Sequence, residues 1–132
     1  MTPKRIISIQ VTNHPGILTR VAGLFSRRGF NIDSIAVGRT EDSAVSRMTI
    51  VLEADQTTGE QLIKQLNKLV DTIKVSDVTD DPTVERELAL IKVSADSGNR
   101  SEILQIVSIF RAKIVDVSER AAIIEVTGDE SK

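Results

Sequence analysis

The residues best placed to do chemistry run Asn13-His14-Pro15-Gly16-Ile17-Leu18. Pro15 suits the first position of a helix, where its missing N–H has no partner to lose and its φ is already helical. Gly16 lets another molecule approach the backbone closely. The N–H groups of Ile17 and Leu18 then have no acceptor inside the helix. Unpaired donors at the positive end of a helix dipole suit an anion. The plainer reading of the same residues is the start of an ordinary amphipathic helix in a two-layer domain, and spacing alone does not choose between the two. His14 reads as a turn residue rather than a ligand. Arg39, Arg47 and Arg86 read as surface or interface charges. Arg47, in mid-strand and opposite the apolar face, suits an ion pair between subunits.

Composition removes most catalytic chemistry. There is no Cys, which excludes disulfides, thiolate metal sites and cysteine nucleophiles, and one His in 132 residues leaves no His cluster or Ser-His-Asp triad within one chain. No phosphate-binding loop of the G-x-x-x-x-G-K-[ST] type and no G-x-G-x-x-G occurs. Paired acids such as Asp80-Asp81 fall in a polar stretch and read as solvated. A net charge of −2 and 2% aromatic residues argue against nucleic acid, which needs a basic footprint or a stacking platform. Met1 to Val11 lacks the apolar core of a signal peptide, and no run approaches membrane-spanning length. The expectation is a cytoplasmic protein, or a stromal one if its source is a plastid.

The elements that must position the turn follow from periodicity. Arg5 to Thr12 alternates as a strand, with Ile7, Ile9 and Val11 on one face. A helix over Pro15 to Arg28 follows, with Ile17, Leu18, Val21, Leu24 and Phe25 on its apolar face and Gly29 as its stop. Asn31 to Thr40 is a second strand, with a bulge expected near Asp33-Ser34 because Ile32 falls on the other parity from Ile35 and Val37. Ser46 to Ala54 is a third. Asp55 to Gly59 supplies cap residues for a helix over Glu60 to Val70, whose face carries Leu62, Ile63, Leu66, Leu69 and Val70. Thr72 to Thr79 is a fourth strand. The order β-α-β-β-α-β is the ferredoxin-like pattern, a sheet carrying both helices on one face. It fills one domain, residues 1–79.

Residues 80–84 form a linker, and the pattern then restarts over 85–132. Glu85 to Ala95 is a strand with Leu88 and Leu90 inward and Ile91 and Val93 as further inward candidates, Arg100 to Arg111 a helix with Ile103, Ile106, Val107 and Phe110 on one face. Two more strands follow, Lys113 to Ser118 and Ala121 to Val126. Leu24-Phe25 is echoed by Ile109-Phe110, and Asn31-Ile32-Asp33 by Ile114-Val115-Asp116, a weak internal repeat. The fold class is therefore α+β: a complete ferredoxin-like unit followed by an incomplete βαββ one. The chain reads as a shortened form whose second unit is less stable or borrows cover from a neighbour.

Asn13-His14-Pro15-Gly16-Ile17-Leu18-Thr19-Arg20-Val21 resembles the N-x-P-G-x-L-x-R-[VI] opening of ACT domains. The run from Gly23 to Ile35, together with Ser46-Arg47-Met48-Thr49-Ile50, Gln65 to Asp71 and Arg86 to Val93, resembles a narrower family: the regulatory small subunit of acetohydroxyacid synthase (acetolactate synthase). The resemblance covers the whole chain, with the motifs in order, and departs from the family only at the end. It implies a non-catalytic subunit without a cofactor of its own. Its partner would be a catalytic large subunit that uses thiamine diphosphate, magnesium and usually FAD. Family members activate that enzyme and make it sensitive to feedback inhibition by a branched-chain amino acid, usually valine.

The resemblance also implies a site. ACT domains pair into homodimers whose sheets join, with an amino acid held between the first turn of one chain and the second-strand region of the next. Carried onto this sequence, the effector-binding residues are Asn13, Gly16, Ile17, Leu18, Asn31 and Ile32. The valine carboxylate would meet the free N–H groups, the two Asn amides would serve its charged ends, and its side chain would rest on Ile17, Ile35 or Val37. Rival readings are a stand-alone amino-acid sensor, an acylphosphatase-like enzyme, and an RNA-binding sheet. The second lacks the required turn arginine and the third the aromatics.

Overall fold

A computed structural model describes residues 3–132, which divide into two compact units that meet between Thr83 and Val84 in the sequence. The expected domain start at residue 1 lies outside the described residues. In the first unit the elements are β1 (Lys4–Thr12), α1 (Ile17–Arg27), β2 (Ile32–Arg39), β3 (Val45–Glu53), α2 (Gln56–Asn67) and β4 (Thr72–Asp77). The strands form one antiparallel sheet in the order β2-β3-β1-β4. Alternation on the two central strands sends Ile7, Ile9, Val11, Met48, Ile50 and Leu52 to one face, where they are fully buried against Val21, Leu24 and Phe25 of α1 and Leu62 and Leu66 of α2. Both helices thus cover the same face, as the ferredoxin-like order requires. The expected bulge in β2 is present, its register shifting between Ile32 and Ser34.

Several boundaries move for local reasons. Pro15 is not the first helical residue; it lies in a turn, and α1 begins at Ile17 with Gly16 as its cap. Leu18 consequently points outward, 47% exposed, rather than into the core. Helix α2 starts four residues before Glu60, because Asp55 Oδ1 accepts from the Thr58 N–H at 2.7 Å and caps it there. Gly59, expected as a break, is a buried residue inside α2, where a Cβ would stand 3.3 Å from Arg5 Nε. Val70 lies beyond the end of α2 and is 93% exposed, not part of its apolar face. β4 ends at Asp77, yet the chain stays tied to β1: Val78 N–H donates to Ile6 O, and Thr79 Oγ1 accepts from Ile6 N–H.

The second unit contains β5 (Glu87–Ser94), α3 (Arg100–Ile109), β6 (Lys113–Val117) and β7 (Ala121–Gly128), with an antiparallel sheet ordered β5-β7-β6. Its β-α-β-β order is the expected one. Of the β5 residues expected inward, Ile91 and Val93 share a side with the buried residues of β7, and Leu88 and Leu90 do not. Pairing with β7 sets Ile91 opposite Ile124 and Val93 opposite Ala122, the face that α3 covers through Val107. Leu88 and Leu90 therefore fall on the opposite face, 61% and 63% exposed. Of the expected α3 face only Val107 is buried, while Ile106 and Phe110 remain about half exposed.

Candidate functional site

The turn between β1 and α1 is built by its neighbours. The Asn13 N–H donates to Ala44 O at 2.8 Å, and its side-chain Nδ2 reaches Ser43 O at a long 3.4 Å, so the β2–β3 loop holds the turn from one side. That loop is itself fixed by Asp42, whose carboxylate accepts from Ala44 N–H. On the other side, Thr12 donates to Asp71 O through both its N–H and its hydroxyl. Arg20, from the second turn of α1, reaches the Asp71 carboxylate at 2.8 Å. Sequence spacing left Arg20 without a role. Its pairing with Asp71 clamps α1 to the start of β4.

Gly16 stands at φ +84° with open space around it, a left-handed conformation that favours glycine. The expected pair of free donors shifts by one residue. Ile17 N–H turns back to His14 O at a weak 3.4 Å, and Arg20 N–H already closes the first helical bond onto Gly16 O. Among the described residues, the N–H groups of Gly16, Leu18 and Thr19 have no acceptor. Thr19 is a donor that sequence reasoning missed, although every helix leaves its first donors unpaired. The first turn holds no acid of its own to offset the positive helix end. The arrangement presents three donors, the exposed Leu18 side chain and the unused carbonyl oxygen of Asn13.

The remaining predicted residues divide. The Ile17 side chain is 7% exposed and part of the core, so only its backbone belongs to the turn. Ile32 also packs against the core and offers no apolar wall to a ligand, because the β2 bulge turns it inward. Asn31 is exposed beyond the far end of α1. An 11-residue helix separates it from the turn, about 16 Å along the axis. One chain does not bring Asn31 and Gly16 together. Ile35 and Val37 remain exposed at 42% and 48% on the edge strand β2.

Chemistry elsewhere is sparse. Asp55 and Asp129 are held below the ordinary carboxylate range, Asp55 by the backbone and side chain of Thr58 and Asp129 chiefly by Ser131; the first is a helix cap and the second a C-terminal turn. Among the described residues no cluster of His, Asp and Glu could hold a metal ion, and no helix is long and apolar enough to cross a membrane.

Comparison with known proteins agrees along the whole length. Residues 7–74 match the AHAS small subunit-like ACT domain, and residues 86–132 match the small subunit of acetolactate synthase. A probable acetolactate synthase small subunit from Archaeoglobus fulgidus is 60% identical over 129 residues, covering 98% of this chain and 80% of that protein. The acetolactate synthase small subunit of Mycobacterium avium is 55% identical over 133 residues, covering all of this chain and 80% of its own. A crystal structure of the small subunit from Thermotoga maritima superposes with a TM-score of 0.91 at 49% identity, over 98% of this chain and 81% of that one. The ACT domain of a GTP pyrophosphokinase from Chlorobium tepidum shares the fold of 57% of the chain, and 84% of its own, at a TM-score of 0.50 and 17% identity. With an ACT fold in its first unit, an open helix start at the family's opening motif and these relatives at both ends, the chain belongs to the family of acetolactate synthase small subunits.

Proposed function

We propose that this chain is the regulatory subunit that raises the activity of the catalytic large subunit and confers feedback inhibition by valine in branched-chain amino acid synthesis. The observation that carries the reading is the open start of α1: three unpaired donors, no acid in the first turn and an exposed leucine. A free amino acid matches that arrangement. Its carboxylate suits the donors of Gly16, Leu18 and Thr19, and its ammonium suits the Asn13 carbonyl oxygen.

A second copy completes the site. β2 is an edge strand with Ile35 and Val37 exposed, while the other edge, β4, is guarded by Lys74 and a register shift between Gln10 and Val11. Antiparallel pairing of two β2 strands about a two-fold axis sets the Asn31 end of one beside the Arg39 end of the other. The Arg39 end is where the β1–α1 turn hangs from the β2–β3 loop. Asn31 of one copy thus approaches Gly16 and Leu18 of the next, and the effector bridges the pair. Thiamine diphosphate, magnesium and FAD we assign to the catalytic partner, in the cytoplasm.

The mechanism is a population shift. Valine stabilises one arrangement of the pair, which activates the partner less well. It shifts the balance only by its differential affinity, typically about 1–3 kcal/mol of coupling. Reconstitution with a purified catalytic subunit tests this. The expected result is faster acetolactate formation on adding the chain, and inhibition by millimolar valine only when the chain is present. Unchanged rate and unchanged valine sensitivity would overturn the reading and favour a stand-alone sensor.

A further inference from the structure

The face of the first sheet that the helices leave open carries an uncompensated positive row. Register places Gly38, Arg47, Gln10 and Lys74 side by side across β2, β3, β1 and β4. Directly paired residues of antiparallel strands project to one face, and the neighbours Ile9, Val11 and Met48 are buried on the other. Arg47 and Lys74 are exposed and, among the described residues, take part in no ion pair. One strand lies between them, so they stand about 10 Å apart. At the opposite end of the sheet the charges are internally matched, with Lys4 at 3.4 Å from Asp33. A chain of net charge −2 therefore concentrates unmatched cations at one end of one flat surface. Guarding a sheet edge accounts for Lys74 but not for Arg47, which sits on a central strand. Gly38 beside Arg47, and the small residues Ala36, Ser8 and Ser76 in the next row, let a partner come close to the backbone.

We propose that the Arg47–Gln10–Lys74 row docks an acidic segment of the catalytic subunit, two carboxylates spaced to meet the two cations. The inference rests on the reading of the chain as that enzyme's regulatory subunit. Charge complementarity steers association and makes it salt-dependent, so the row sets how fast and how specifically the subunits meet.

The test measures binding of the full chain to purified catalytic subunit at low and high salt, beside the valine-dependent rise in the thermal midpoint of the chain alone. The double variant Arg47→Glu/Lys74→Glu is expected to bind about tenfold or more weakly at low salt and to lose the fall in affinity with salt. Arg47→Lys is expected to keep most of the affinity. The valine response should be the same in all three. Unchanged affinity of the double variant overturns the docking face while leaving the regulatory reading intact. A change in self-association with no change in partner affinity also overturns it, and makes a second copy the occupant. Failure of the unsubstituted chain to bind the catalytic subunit removes both readings.

Discussion

Gly16 concentrates the argument at the scale of a single residue. Its φ of +84° is what turns the chain so that α1 starts with its donors facing out. Space does not forbid a side chain there, since an added Cβ meets nothing within 4 Å. The backbone does: an L-residue in this conformation costs about 1–2 kcal/mol. Gly16→Ala should therefore destabilise the first unit by about 1 kcal/mol in denaturant unfolding. Gly16→Asp should in addition lower valine affinity, since it sets a carboxylate where the ligand's own would sit. Calorimetric titration with valine checks the second point, and an unchanged affinity would remove the turn from the site. Asp55 makes a different prediction. Its carboxyl is depressed by the Thr58 bonds, so its stabilising effect is present above the unfolded carboxylate pKa and is lost as pH falls through the lower folded value. Asp55→Asn should lower the thermal midpoint at neutral pH and show a smaller further loss on acidification than the parent chain.

At the scale of the element, the proposed pairing rests on the edge strand β2. Val37 is half exposed and opposite Met48, which is fully buried, so it sits at the rim of the helix-covered face. A charge there should leave the monomer folded and oppose strand pairing. Val37→Lys is expected to sediment as a monomer with an unchanged far-ultraviolet dichroism spectrum; a dimer would contradict the β2 pairing. Much of the element plan was legible in the sequence. The strict alternation of Ile7, Ile9 and Val11 gave β1, and the parity break at Ile32 gave the β2 bulge, because burial of one sheet face leaves little freedom of register. What spacing could not convey were tertiary choices. Gly59 survives inside α2 because Arg5, from β1, packs against it. Leu88 and Leu90 look like core residues until the register with Ile124 turns them outward. The turn at Gly16 was visible as a motif, but the loss of the Ile17 donor to His14 and the availability of Thr19 depend on backbone angles that residue types alone do not specify.

For the whole molecule, the proposed effector site is one that two chains build together. Asn31 and Gly16 lie at opposite ends of α1, so under the proposed β2 pairing it is Asn31 of the second copy that meets the turn. Complementation follows. In a mixture of Gly16→Asp and Asn31→Ala chains, each mixed dimer has one site with both changes and one with neither. Random pairing should then restore about a quarter of the valine sites, although neither variant binds alone. Calorimetric stoichiometry of the mixture reads this directly, and no recovery after subunit exchange would place both residues in one chain's site or in none.

The most direct measurement is the thermal midpoint of the chain with and without millimolar valine, for the parent sequence and for Asn31→Ala. A ligand that binds only the folded state raises the midpoint by mass action. Asn31 is exposed, so its replacement should leave the midpoint without ligand essentially unchanged. The account predicts a rise with valine in the parent and none in Asn31→Ala. An equal rise in both, or no rise in the parent, would contradict it.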